Sequence, residues 1–347
     1  MNGAINARLA IGVVGYGYWG SKHVRVLSSL PDVDVYVIDS KAGRREHARD
    51  AFPGAIIHAE LNDVIDRLDG VVVATPAASH HDVARFALDR GVHALVEKPL
   101  ALTTADCSDL IRAADTSNVK LMVGHTFEFN AGIRKVRHLI DSGELGEILY
   151  VDTARLNLGL YQSDVNVIWD LGPHDISILN YLLRSVPTSV TATADAHRSE
   201  HLADVATLQL RYDELDITAH IRLSWLDPVK VRRVSVVGSR KMVVNNDIAP
   251  ERIKVYDAGV DASGPADRFQ DPPFEYRYGD IVSPHVPFEE PLLLEDRHFV
   301  DCIRLDKTPD TDGRSGLAVV QVLEAAERSI AEGRTVPVSV PIPAASA

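Results

Sequence analysis

The stretch LAIGVVGYGYWG, Leu9 to Gly20, runs a short apolar segment directly into three closely spaced glycines. A helical pattern follows, reaching about Leu30. Strand, glycine turn and helix in that order suit the approach of a dinucleotide pyrophosphate. Gly15 is placed for the tight turn, Gly17 for close approach of the backbone, and Gly20 for contact between helix and strand. Tyr18 and Trp19 lie inside the loop, and the helix start offers free N–H groups and the positive end of its dipole. Alone, the GxGxxG pattern also describes an ordinary turn. The next apolar run, VDVYVID, ends at Asp39, near the distance at which a carboxylate would accept bonds from the ribose hydroxyls. Asp39 also reads as a turn or cap residue. Taken together, the context predicts dinucleotide binding. NAD is favoured because a carboxylate repels a 2′-phosphate, while Ser40, Lys41, Arg44 and Arg45 leave NADP open.

Outward from this loop, the apolar runs GVVVAT, HALVE and KLMVG alternate with amphipathic stretches such as SHHDVARFALDRG. Continuous apolar strands alternating with helices predict an α/β fold, a doubly wound parallel sheet covered on both faces. After about residue 145 the pattern becomes period-two, in ATLQLRY, DITAHIRLSWL and VRRVSVVG, which predicts a large, mostly antiparallel open sheet. The segment 258–290, rich in Asp, Pro and Gly, reads as loop. The expected division is 1–125 for the dinucleotide and 126–347 for substrate and oligomerisation, with the C-terminal helices packing across both.

Two domains also fit the length of 347 residues. Hydrophobic residues make up 46% and charged residues 24%, as in soluble globular proteins. A net charge of −13 argues against a nucleic-acid partner, which calls for a basic surface. The N-terminus has no basic region ahead of a long apolar run, so neither a signal peptide nor a membrane span is expected. Cys107 and Cys302 are isolated from each other and from any metal-ligand spacing. They argue against a disulfide framework or a bound metal, and fit a cytoplasmic location.

ALVEKPL, Ala94 to Leu100, sets Glu97 and Lys98 at the end of a buried strand, where unpaired charges cost several kcal/mol. In a doubly wound sheet the carboxyl ends of the strands face the ligand. A lysine there can stabilise negative charge developing on a substrate oxygen. On position alone, a Glu97 ion pair with a solvated Lys98 is an equal reading.

GVVGYGYWG, VVVATPAASHHDVARFALDRGVHALVEKPLALT and WDLGPHDISIL together resemble the Gfo/Idh/MocA oxidoreductase family, and the similarity extends over nearly the whole chain. The resemblance implies a Rossmann domain followed by an α/β domain whose sheet often forms homo-oligomers, here a dimer or tetramer. It also implies that Lys98 lies at the nicotinamide and substrate, and that Glu97, Thr75, Pro76 and His80 match cofactor-contacting positions.

WDLGPHDISILNYLL places Asp170 and His174 about one helical turn apart, with Pro173 suited to a first turn. Histidine accepts a proton near neutral pH. On the residues alone, a helix cap with a half-buried histidine explains the pair as well. The resemblance implies catalysis, since sugar and inositol dehydrogenases carry this spacing beside the EKP lysine. Ser177 stands where many members have an acid, which leaves open what orients the histidine ring. His125, Arg155, Asn157, Tyr161 and Trp169 are candidate sugar-lining residues, or equally ordinary strand and loop residues. The expected activity is an NAD(P)-dependent exchange of a secondary alcohol and ketone on a sugar, through the nucleotide-sugar 3-dehydrogenase or 3-ketoreductase type. Inositol or a free aldose is the alternative substrate. A non-catalytic NAD-binding sensor is the alternative class.

Overall fold

The computed structural model describes residues 8–159, 165–262 and 274–338. In chain order its elements begin β1 (Leu9–Val14), α1 (Tyr18–Leu27), β2 (Val33–Ile38), α2 (Ala42–Ala51) and β3 (Ile56–His58). There follow β4 (Gly70–Val73), α3 (His80–Leu88), β5 (His93–Glu97), α4 (Thr104–Ser117) and β6 (Leu121–Gly124). Then come α5 (Ala131–Asp141), β7 (Ile148–Leu158), α6 (Val167–Leu183), β8 (Ser189–Asp195), β9 (Val205–Tyr212) and β10 (Ile217–Ser224). The chain continues with β11 (Leu226–Gly238), β12 (Met242–Asn246), β13 (Ile253–Ala262) and β14 (Phe274–Val282), and closes with α7 (Pro291–Arg304), α8 (Gly313–Glu332) and β15 (Val336–Pro337).

These form two compact units. The first holds residues up to Phe129 together with Glu289–Gln321; the second holds Asn130–Phe288 and the residues from Val322 on. In the first, the described strands make one parallel sheet in the order β3-β2-β1-β4-β5-β6. This is the doubly wound order, with its crossover at β1 and β4. β4 and β6 are buried at every position, because helices cover both faces. Phe299 and Val300 of α7 join Ile11, Val13, Leu95 and Met122 in the core of this unit.

The glycines divide the labour as the sequence suggests. Gly15 has φ +92°, and a Cβ on Gly20 would stand 1.8 Å from the carbonyl oxygen of Gly15. Only glycine fits there. At Gly17 a Cβ would meet nothing nearer than 3.9 Å, so that position is open for a ligand's approach.

In the second unit the described strands form a sheet in the order β14-β13-β12-β11-β7-β10-β9-β8-β15, antiparallel except where β7 meets β10. Ala206, Leu208, Leu210 and Tyr212 of β9 are buried while Thr207 and Gln209 face out, the period-two pattern of a sheet covered on one face. α6 packs on β7, β9 and β10.

Two expectations change. Residues 253–262 and 274–282, within or beside the stretch read as loop, are paired strands with a register shift between Tyr256 and Ala258. Backbone pairing at a sheet edge tolerates the Gly- and Asp-rich composition that suggested a loop. α6 begins at Val167, capped by the Asn166 side chain, which accepts from Ile168 N and Trp169 N. Pro173 is therefore inside the helix rather than in its first turn, and Asp170 is not the cap.

Gly20→Ala is expected to lower the melting temperature by several degrees, since a methyl forced against backbone costs about 1–3 kcal/mol. Gly17→Ala should leave it unchanged. Calorimetry that finds the two variants equally stable contradicts this account of the loop.

Candidate active site

In the first unit, candidate residues gather at the carboxyl ends of the parallel strands. Asp39 follows β2 and is buried. Its Oδ2 accepts the Tyr16 N–H at 2.8 Å and its Oδ1 accepts the Lys41 N–H at 2.8 Å. Arg44 Nη1 approaches Oδ2 at 3.3 Å. Gly15, Asp39, Ser40, Arg44, Thr75 and Pro76 line a pocket of about 370 Å³. The open face of Gly17 and this carboxylate fit the pyrophosphate and ribose of a dinucleotide. Arg44 and Lys41 beside it supply the cations a 2′-phosphate would need. Tyr18 and Trp19 are exposed in the first turn of α1, with the Lys22 ammonium 4.5 and 5.5 Å from their ring centres.

Glu97 ends β5 and is buried. Its Oε1 lies 3.1 Å from His23 Nε2, and its Oε2 accepts the Lys98 backbone N–H at 3.2 Å. Burial works to raise the carboxyl, but the hydrogen bond and charge of His23, with Lys98 and His80, outweigh it and leave Glu97 below its ordinary range. The strand-end charge is thus paired inside the protein. The Lys98–Pro99 peptide bond is cis.

His80 is buried, with Nδ1 2.8 Å from the Pro99 carbonyl and Nε2 2.9 Å from that of Thr75. It braces the segments that follow β4 and β5 against each other. Burial holds it below the ordinary histidine value, so near neutral pH the ring donates to one carbonyl at a time. Thr75 Oγ1 accepts from Ser79 at 2.8 Å. His125 follows β6, is 1% exposed, and has no hydrogen-bond partner at either ring nitrogen among the described residues. Burial pushes it down to about 4, with Lys98 adding to the effect and Glu97 opposing it.

In the second unit, α6 carries Asp170 in its first turn and His174 one turn on. The Trp225 indole, 1% exposed, donates to Asp170 Oδ2 at 3.1 Å. Trp225 thus fixes a candidate catalytic carboxylate. Arg155 of β7 is buried and pairs through Nε with Asp175 Oδ2 at 2.6 Å. Arg155 and Asp175, adjacent in sequence to His174, therefore tie β7 to α6. Ser177 donates to the His174 carbonyl at 3.0 Å. Asn157 and Trp169 are half-buried on β7 and α6. Tyr161 lies outside the described residues. His23, which sequence reasoning missed, had one available signal: a polar residue beside Val24, Val26 and Leu27 on the buried side of α1.

Among the described residues no three His, Cys, Asp or Glu side chains are grouped to hold a metal ion. Among them, too, no helix is long and apolar enough to cross a membrane.

A parallel sheet in this order, with a glycine loop after its first strand and a carboxylate after its second, defines a dinucleotide-binding domain. Comparison with known proteins agrees. Residues 9–125 match the model of the oxidoreductase family with an NAD-binding Rossmann fold, and residues 133–244 match the GFO/IDH/MocA C-terminal domain. The chain belongs to the Gfo/Idh/MocA family and is an NAD(P)-dependent dehydrogenase. It is 25% identical over 342 residues to the D-apiose dehydrogenase of Paraburkholderia graminis, covering 93% of this chain and 88% of that protein. An uncharacterized oxidoreductase of Streptococcus pneumoniae serotype 4 is 29% identical, and there the chain spans 56% of the relative's length. The crystal structure of GenD2 from gentamicin A biosynthesis, in complex with NAD, superposes with a TM-score of 0.81 at 25% identity, covering 98% of this chain and 99% of that one.

His125 sets a pH expectation. A histidine ordinarily titrates near 6.5 and this one at about 4, so between those values the unfolded state holds the extra proton. Acidification through that window removes about 3 kcal/mol of stability. Denaturant unfolding of His125→Asn from pH 7 to pH 4 should show a flatter loss than wild type; an identical slope would contradict the assignment.

Proposed function

We propose that this enzyme oxidises a secondary alcohol of a nucleotide-linked sugar, or reduces the corresponding ketone, at a position of the 3-dehydrogenase type. The observation that carries this reading is the Asp170–His174 pair on α6, with the carboxylate held by Trp225, in a chain that also ends β5 with Glu97-Lys98. The glycine loop and Asp39 would hold NAD, which would supply the hydride acceptor. His174 receives the hydroxyl proton, a role suited to imidazole near neutral pH. Lys98 is suited to stabilise negative charge that develops on a substrate oxygen, and Asp170 to orient the sugar or the base.

A cytoplasmic location and a homodimer or homotetramer through the large sheet are part of the same proposal. Cys107 and Cys302 are free thiols, as a reducing compartment keeps them. Phe274, Tyr276, Tyr278 and Ile281 of β14 expose large apolar side chains at the end of the sheet, the kind of patch that marks an interface. Sedimentation analysis measures the assembly.

A panel of nucleotide sugars, inositols and free sugars, offered with NAD and with NADP, should give nicotinamide reduction with a nucleotide sugar. Lys98→Ala should keep the thermal shift produced by NAD while losing turnover by about a hundredfold or more. Wild-type turnover in that variant, or turnover without net reduced nicotinamide in the native enzyme, goes against the reading.

A further inference from the structure

Four ionisable side chains are buried together behind the carboxyl end of β5, all within the first unit. His23 of α1 and Glu295 and Asp296 of α7 are fully buried, and Glu97 is 7% exposed. His23 Nδ1 lies 2.8 Å from Asp296 Oδ1, while Nε2 lies 3.1 Å from Glu97 Oε1. A neutral imidazole donates through one nitrogen only, so two ionised carboxylates on one ring call for the imidazolium. Glu295 Oε2 accepts from Thr126 Oγ1 at 2.9 Å. Glu295 Oε1 and Asp296 Oδ2 have no hydrogen-bond partner among the described residues.

Such a cluster is a poor way to gain stability, since packed apolar residues usually serve as well or better. Its connection forward is specific. The second oxygen of Glu97 accepts the backbone N–H of Lys98, so the charge and rotamer of Glu97 are felt at the residue that carries the ammonium. We propose that His23 and Asp296 are positioning residues that hold Glu97 as an ionised carboxylate, and through it fix the orientation and electrostatic surroundings of Lys98. The inference rests on the catalytic reading of Lys98 given above.

The charge distribution supports the geometry. For His23, burial opposes the proton, but the charge and hydrogen bond of Asp296, and then Glu97, carry it well above the ordinary histidine value. Glu97 sits below its usual range despite burial. Asp296 is raised by burial, with His23 pulling against the shift. Glu295 is raised well above its ordinary range, by burial and then by the Glu97 charge, with His23 opposing the shift. The groups bearing on the Glu97 carboxylate are His23 from α1, Glu295 and Asp296 from α7, Lys98 beside it, His80 from α3 and His125 after β6. Glu290, preceding α7, bears on Asp296.

The test combines Asp296→Asn, His23→Asn, Glu97→Gln and the double variant Asp296→Asn/Glu97→Gln. If Asp296 acts through Glu97, Asp296→Asn lowers kcat about tenfold with KM and NAD affinity little changed, and adds nothing once Glu97 is already Gln. A merely structural role makes the two losses add. A readout free of turnover is trace acylation of the Lys98 amine across pH, followed by peptide mass spectrometry. Weakening the Glu97 carboxylate favours the uncharged amine, so the reactive form should appear at lower pH in all three single variants. Additive losses in the double variant, or a Lys98 acylation profile equal to wild type in Glu97→Gln, overturn the proposal. The second criterion holds even where His23→Asn fails to fold. Acylation reads the coupling and the turnover of Lys98→Ala reads the catalytic role, so either can fail without the other.

Discussion

Glu97 is a carboxylate buried against His23 at the end of β5, and the role proposed for Lys98 depends on that contact. A carboxylate buried at a strand end costs several kcal/mol unless compensated. An imidazolium on one oxygen and the Lys98 backbone N–H on the other provide the compensation. This arrangement lets β5 end in a charged pair where Asp39, Thr75 and His125 also leave their strands. The parallel order of the sheet sends all those carboxyl ends to one side, so residues dispersed through the first 125 positions become neighbours in function.

The second unit solves a related problem with other residues. α6 has to present Asp170 and His174 from a helix with a proline inside it, where the backbone lacks one N–H. Asn166 caps the helix start, the Arg155–Asp175 pair ties it to β7 beneath, and the Trp225 indole holds Asp170. His174 thus follows from a helix fixed on three sides within its own unit, and Lys98 belongs to the other unit.

Much of this was legible beforehand, for physical reasons. Continuous apolar runs such as GVVV mark strands covered on both faces, and alternation in ATLQLRY marks a sheet with one open face, because each period reflects the geometry of a single strand. The glycine loop was readable because backbone contact leaves no room for Cβ. The strands at 253–262 and 274–282 were not, since edge pairing satisfies the backbone whatever the side chains. His23 was harder to read for another reason: its partner Asp296 is 273 residues away, and its one local sign is a polar residue on the buried side of α1. Arg155 stayed open because an arginine meant for a ligand and one paired with a buried aspartate look alike in sequence; the structure adds the Asp175 pair.

The central claim is that hydride passes directly from the alcohol carbon to a bound nicotinamide. It is tested by deuterating that carbon in the sugar the enzyme accepts and following the label by NMR. The account predicts deuterium at C4 of the reduced dinucleotide. Label released to solvent or kept on the sugar after turnover would contradict it.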